Sequence, residues 1–282
     1  MKRVGFFFAG FSAILLGFAS QFFSTFFYIF FRKFFNILSL NHDSFNIDTG
    51  YIMIMYSVVL IFFMGFIYHH YLGGSFEVPS VSESYNWNII GCFLLILPAT
   101  QFIAGLVQIF YNIISPQVVE NYEHIINDSG LGDINIITMQ IYAIIFAPLA
   151  EELLFRGFAL RMFKKSVPFW CANLLQALAF GLYHMNLVQG TYAFALGVLL
   201  GYICEGTGSI YFSMIYHIMF NLWGTLITEM ATKISILQGF LGLLYVIMLL
   251  ASPATFLLTK KAICTRRRNL CLQQKLEYHN MI

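Results

Sequence analysis

The sequence predicts an all-α fold, a polytopic transmembrane helical bundle of about eight membrane helices. Of its 282 residues, 59% are hydrophobic, 18% are aromatic and only 10% are charged, a composition that cannot give a water-soluble globule a solvated surface. The apolar residues fall in long runs, each close to the roughly 20 residues with which a helix crosses the hydrocarbon core of a bilayer. In lipid, a helix satisfies its own backbone hydrogen bonds, so runs of this length indicate membrane helices.

Breaks in hydrophobicity divide the chain into eight candidate spans. The first is Phe-rich and follows Lys2 and Arg3; because its apolar run exceeds the length of a secretion signal, we expect a retained anchor. The fifth and sixth are short and closely joined, so a re-entrant or tilted segment is an alternative there. The predicted spans are residues 4–31, 51–72, 88–111, 136–156, 168–185, 190–204, 208–229 and 236–258.

These spans group into three parts. We expect accessory N-terminal transmembrane helices in residues 1–135, the functional core in residues 136–258 and a basic cytoplasmic tail in residues 259–282. The stretch 112–135 has four acidic residues and no Lys or Arg, which is typical of an external loop, with room for a short amphipathic helix.

The distribution of Lys and Arg predicts the orientation, because cytoplasmic loops hold the excess of these residues. Both termini are expected on the cytoplasmic side, although Arg32 and Lys33 fit this arrangement poorly. The tail cluster favours the anionic cytoplasmic leaflet of the lipid bilayer and argues against nucleic acid as a partner. The basic residues assigned to the cytoplasm are Lys2, Arg3, Arg161, Lys164, Lys165, Lys260, Lys261, Arg266, Arg267, Arg268 and Lys275.

Charged residues inside the fourth span form the first candidate motif, in the segment APLAEELLFRG at residues 147–157. Such groups are expensive in hydrocarbon and usually mark a functional cavity. Glu152 and Arg156 are four residues apart and share a helical face, so they are placed to form an ion pair. Glu151 lies about 100° away from Glu152 on the helix, which leaves it free to address another helix. The alternative is a plain interfacial salt bridge.

Two further motifs place imidazoles in the fifth and seventh spans. In FGLYH, Phe180 precedes His184 by one turn and is placed to wall the histidine; in HIMFN, His217 and Asn221 share one face. The imidazole and carboxamide of the second motif both donate hydrogen bonds, as the oxyanion hole of acyl transfer requires. A single histidine near a helix end is more often structural, so the combination carries the inference. In the sixth span, Gly197 and Gly201 form a small-residue pair that predicts close helix packing.

Taken in order, Glu-Glu-x-x-x-Arg, Phe-x-x-x-His and His-x-x-x-Asn resemble the motifs of the CAAX prenyl protease and bacteriocin-processing (CPBP or Abi) family of intramembrane glutamic endopeptidases. The resemblance covers roughly residues 140 to 225, with all three motifs intact. It implies a helical membrane protease whose motif residues surround a cavity reached from the membrane and its cytoplasmic side.

The resemblance also implies roles for the motif residues. Glu151 looks like the catalytic glutamate, with His184 helping it to hold a water. His217 and Asn221 look like the pair that stabilises the oxyanion. Glu152, Arg156 and Phe180 are expected to support these groups without transferring protons.

Three alternatives remain open from the sequence. No cofactor is expected, but catalytic zinc bound by Glu151, His184 and His217 is the rival mechanism; the absence of an H-E-x-x-H helix argues mildly against it. The expected partner is a peptide or lipidated peptide substrate, which the family allows to be a prenylated C-terminus or a bacteriocin-type peptide. A non-enzymatic membrane immunity or scaffold protein is the competing class.

Overall fold

The computed structural model describes residues 2–38, 49–71, 87–128, 137–227, 230 and 233–280. In these residues all regular structure is helical, which confirms the predicted all-α class. Among these residues the chain forms eight continuous α-helices and one interrupted helix. The eight are α1 (Lys2–Leu38), α2 (Thr49–Tyr71), α3 (Trp87–Ile114), α4 (Pro116–Asp128), α5 (Phe169–Tyr183), α6 (Leu187–Thr207), α7 (Ile210–Leu222) and α8 (Ser235–Asn280).

The interrupted helix lies between α4 and α5 and carries both glutamates, so we call it the glutamate helix. It consists of α-helical Ile137–Ile141, Ala147–Glu152 and Leu160–Lys164 alternating with π-helical Tyr142–Phe146 and Leu153–Ala159. A π-helical turn contains one extra residue and is frequent at functional sites. The helix continues to Lys164, beyond residue 156 where the predicted span ends, and the motif lies in the middle of the helix.

Fewer helices qualify as membrane spans than the eight predicted. By length and composition, five do so among the described residues, and a sixth does if the bent α8 counts as one span. The predicted fourth span is not among them, and its helix contains two π-helical segments. The predicted fifth corresponds to α5, whose 15 residues reach only about 22 Å at 1.5 Å per residue. The qualifying segments are Arg3–Phe27, Gly50–His70, Asn88–Ile114, Leu187–Thr207, Ile210–Ile227 and the pair Gly239–Met248 with Leu250–Arg266.

The short amphipathic helix expected in residues 112–135 is present as α4. Val119 is buried, whereas Glu120 and Glu123 are exposed. The Tyr122 hydroxyl lies 3.4 Å from that of Tyr192 on α6, which ties the inner face of α4 to the bundle.

The first two helices cover one side of the glutamate helix. Ile14 on α1 and Met64 on α2 join Leu154 and Phe155 in one buried apolar cluster. On another side the glutamate helix packs against α7. The middle of the glutamate helix is therefore enclosed by the bundle.

Close packing of α5 against α6 confirms the interpretation of the glycine pair. A Cβ atom added at Gly197 would lie 3.0 Å from the Ala177 backbone, and one added at Gly201 would clash with the Asn173 and Gln176 side chains. Glycine at these positions lets the two helices approach far enough for side chains of α5 to reach backbone carbonyls of α6.

We expect Gly201→Ala to lower the free energy of unfolding by about 1 to 3 kcal/mol, as overpacking of a tight interface does. The matched control is Gly105→Ala on α3, where an added Cβ would meet nothing within 4 Å. Equilibrium unfolding of the purified variants in mixed micelles measures both values. Equal stability of the two variants would contradict the packing described for α6.

Candidate active site

The predicted ion pair of the first motif is present and fully buried. Arg156 Nη1 donates to Glu152 Oε1 at 2.8 Å, and both side chains have 0% exposure. The guanidinium also lies over the Phe180 ring, with Cζ 4.5 Å from the ring centroid. A buried ion pair needs hydrogen bonds and close packing to offset its desolvation, and these contacts supply them.

His217 lies between the two adjacent glutamates. Its Nδ1 is 3.0 Å from Glu152 Oε1, and its Nε2 is 3.7 Å from Glu151 Oε2. Because the carboxylate paired with Arg156 can only accept a hydrogen bond, Nδ1 carries the proton at that contact. The Nε2 atom is the one that faces Glu151. As predicted, Glu151 addresses another helix, but Glu152 reaches the same imidazole, which the sequence interpretation missed.

His184 follows the last residue of α5, and its imidazole, like that of His217, is held by a hydrogen bond at Nδ1. Its Nδ1 is 2.9 Å from the Phe180 carbonyl oxygen, so this nitrogen carries a proton and donates it to the carbonyl. In the neutral ring, Nε2 is then left as an acceptor. Both site histidines therefore use Nδ1 for anchoring and keep Nε2 for other contacts.

Phe180 separates and orients the site side chains. Its ring meets the imidazole of His184 edge to face with centroids 4.9 Å apart, and that of His217 with centroids 5.6 Å apart. On the glutamate helix, Phe155 packs against the same ring at 5.1 Å. The predicted wall beside His184 thus also contacts His217, and it brings the second motif to the third.

Asn221 contacts the backbone of the glutamate helix. Its Nδ2 donates to the Ala143 carbonyl oxygen at 2.8 Å, within the π-helical turn Tyr142–Phe146. A π-helical turn changes the pattern of backbone hydrogen bonds, and the Asn221 carboxamide donates a hydrogen bond to a carbonyl of this turn. The amide carries two N–H donors, so this contact uses one of them.

The amide residues that surround the ion pair were not predicted. Gln176 on α5 and Arg156 both donate to the Gly197 carbonyl, at 2.9 Å and 3.3 Å. The sequence does contain a signal for this role, because Gln176 is a polar residue one turn before Phe180 in an otherwise apolar span. The sequence interpretation assigned it no role.

Within the described ranges, no group of three His, Cys, Asp or Glu side chains is arranged to hold a metal ion. The set proposed for zinc, Glu151, His184 and His217, is not such a group in this arrangement. We therefore derive no catalytic step through a metal.

Comparison with known proteins gives one finding. Residues 133–223 match the model of the family described as type II CAAX prenyl endopeptidase Rce1-like. The matched region contains the glutamate helix and all three motifs, and it leaves α1, α2, α3, α4 and α8 outside. No curated protein and no solved structure matches the chain significantly.

Proposed function

We propose, from the premise that this chain belongs to the CAAX prenyl endopeptidase family of membrane proteases, that it hydrolyses a peptide bond with water activated by Glu151. The observation that carries the proposal is the contact between Glu151 and His217. The Glu151 carboxylate is 13% exposed, makes no ion pair with Arg156 and faces an imidazole nitrogen from another helix. This arrangement places a candidate general base beside an imidazole, at a distance of 3.7 Å.

The proposed reaction needs no covalent enzyme intermediate. Glu151 takes a proton from water, and the hydroxide formed attacks the carbonyl carbon of the scissile peptide bond. The C–N bond of the tetrahedral intermediate then breaks as the protonated Glu151 gives its proton to the leaving nitrogen. The immediate products are a carboxylic acid and an amine, and Glu151 is again ionised; the acid then gives its proton to the amine or to solvent.

The other motif residues receive supporting roles. His184, with Nδ1 held by the Phe180 carbonyl, presents an acceptor that suits the attacking water. His217 as an imidazolium presents Nε2–H, and Asn221 has a second amide N–H; both are proposed to donate to the oxyanion. Glu152 and Arg156 hold His217 in orientation, as a buried carboxylate does for a catalytic imidazole in other hydrolases.

We propose that the reaction is metal-free and expect activity to survive exhaustive chelation. The placement of Glu151, His184 and His217 supports this, since among the described residues these side chains do not form a group that could hold a metal ion. Elemental analysis and turnover of the purified protein, before and after dialysis against a chelator, provide the measurement. One stoichiometric zinc whose removal abolishes turnover and whose return restores it would establish the rival mechanism.

The substrate is proposed to be a membrane-associated peptide, with a prenylated C-terminal peptide or a bacteriocin-type peptide as the candidate classes. The family supports a peptide substrate in a membrane environment, and the enclosed site suits an extended segment better than a folded protein. We also propose that both termini are cytoplasmic, in line with the exposed Lys260, Lys261 and Arg268 of α8.

The test uses purified protein in lipid nanodiscs and an internally quenched peptide that ends in a farnesylated cysteine followed by three residues. The same peptide without the farnesyl group is the matched control. We expect the farnesylated peptide to be cut after the cysteine. The proposed function would be contradicted if neither peptide were cut and if the membrane peptides of cells with and without the protein were identical.

A further inference from the structure

A buried pair of amides on α5 contacts α6 beside the ion pair of the site. Gln176 and Asn173 are both fully buried. Gln176 Nε2 donates to Asn173 Oδ1 at 2.8 Å and to the Gly197 carbonyl at 2.9 Å. Asn173 Nδ2 donates in turn to the Val198 carbonyl at 3.0 Å. These bonds fix the Gln176 side chain against two consecutive carbonyls of α6.

The Gly197 carbonyl connects this amide pair to the site. It also accepts from Arg156 Nη2 at 3.3 Å, while Arg156 Nη1 holds Glu152. Glu152 Oε1 in turn contacts Nδ1 of His217. A continuous path of polar contacts therefore runs from α5, through α6 and the glutamate helix, to the imidazole that faces Glu151.

The guanidinium has few other contacts that fix its plane. In the part of the chain that the structure describes, neither Arg156 Nε nor Gln176 Oε1 has a hydrogen-bond partner, although both atoms are buried. The orientation of Arg156 thus depends on its two Nη contacts and on the Phe180 ring. The Gly197 carbonyl provides one of these, and Gln176 holds that carbonyl in place.

We infer that Gln176 is a positioning residue: it holds the Gly197 carbonyl that orients Arg156, and through Glu152 it sets the orientation of His217. Among the described residues, the hydrogen bonds of Gln176 go to Asn173 and Gly197 and not to Glu151 or His217. Its effect on turnover must therefore pass through Arg156, which distinguishes it from an amide that only stabilises helix packing. The part of this inference that concerns turnover rests on the proposed function, whereas the part that concerns the orientation of His217 does not.

The first variant is Gln176→Met, which keeps the length of the side chain and removes its donor. Loss of a buried hydrogen bond in such a path corresponds to a fall in kcat of roughly 5- to 100-fold, with KM unchanged because no substrate contact is lost. In an Arg156→Lys background, which removes the Nη2 contact, Gln176→Met should lower kcat no further, since residues acting through one contact are not additive.

A second readout does not need activity. Diethyl pyrocarbonate modifies accessible imidazole nitrogens, and mass spectrometry of the folded protein in nanodiscs reports the rate at His217. We expect Gln176→Met to raise this rate severalfold, and Asn173→Leu, which releases Gln176, to raise it in the same direction. Thr259→Val on α8 is the control, since the Thr259 hydroxyl donates within its own helix, to the Thr255 carbonyl.

Lowered kcat at constant KM, no added loss with Arg156→Lys and faster modification of His217 would support the inference. Wild-type kcat and labelling in Gln176→Met, or losses that add to those of Arg156→Lys, would overturn it. If the wild-type protein cleaves none of the peptides, the proposed function fails, and the labelling rates alone decide the role of Gln176. If Gln176→Met does not insert, labelling of Asn173→Leu decides in the same way.

Discussion

Arg156→Met is expected to lower the free energy of unfolding by about 3 to 5 kcal/mol, the typical cost of breaking a buried ion pair by removing one partner. The substitution leaves the Glu152 carboxylate at 0% exposure without its cation. The His217 contact would remain, but it carries no permanent positive charge to replace the guanidinium. Unfolding of the purified protein in mixed micelles, followed by circular dichroism, measures the loss.

Two further variants make this result specific. Lys164 and Glu205 form an ion pair at the end of the glutamate helix with side chains 34% and 24% exposed, so Lys164→Met should cost no more than about 1 kcal/mol after solvent screening. The double variant Arg156→Met with Glu152→Gln should recover part of the loss, because no uncompensated charge remains buried. A loss in Arg156→Met no larger than that in Lys164→Met would show that the buried pair does not hold the site together.

The pairings that follow from helical spacing were predicted from the sequence. Glu152 and Arg156 stand four apart, and the structure joins them; Gly197 and Gly201 stand four apart, and α5 packs on them. Both relations depend on one helix and its 3.6-residue period. The ion pair forms even though residues 153–159 are π-helical. Glu152 is the last residue before that segment and Arg156 lies within it.

Contacts between helices were harder to predict. The sequence showed that Glu151 and His217 lie on different helices, but it could not indicate that Glu152 reaches the same imidazole. That contact depends on the rotation of the glutamate helix about its axis, which its π-helical turns change. The contact of Asn221 with the Ala143 carbonyl could not be predicted either. That carbonyl lies in a π-helical turn, and the residue pattern does not indicate where such a turn forms.

Two of the predicted spans do not qualify by length and composition among the described residues. Hydropathy treats residues 136–156 and 168–185 as ordinary spans because most of their side chains are apolar. In the structure the first is interrupted and the second is a short α5. Helices enclosed by a bundle need not match the thickness of the bilayer, and the site lies in this enclosed part.

Glu151→Gln is expected to lower kcat by about 10²- to 10⁴-fold, the usual contribution of a positioned general base. The carboxamide keeps the shape of the side chain and cannot take a proton from water. Folding should be unaffected, since the Glu152–Arg156 pair and the contact of Glu152 with His217 stay in place. Glu123→Gln on α4 is the matched control, because this exposed carboxylate lies outside the site.

The most direct measurement is the single-turnover rate at which nanodisc-embedded protein cuts the farnesylated peptide, compared among the wild-type protein, Glu151→Gln and Glu123→Gln at equal folded concentration. We expect cutting by the wild-type protein and by Glu123→Gln, with the rate of Glu151→Gln at least about a hundredfold lower. Cutting by Glu151→Gln at the wild-type rate would mean that another group activates the water, and the proposed mechanism would be wrong.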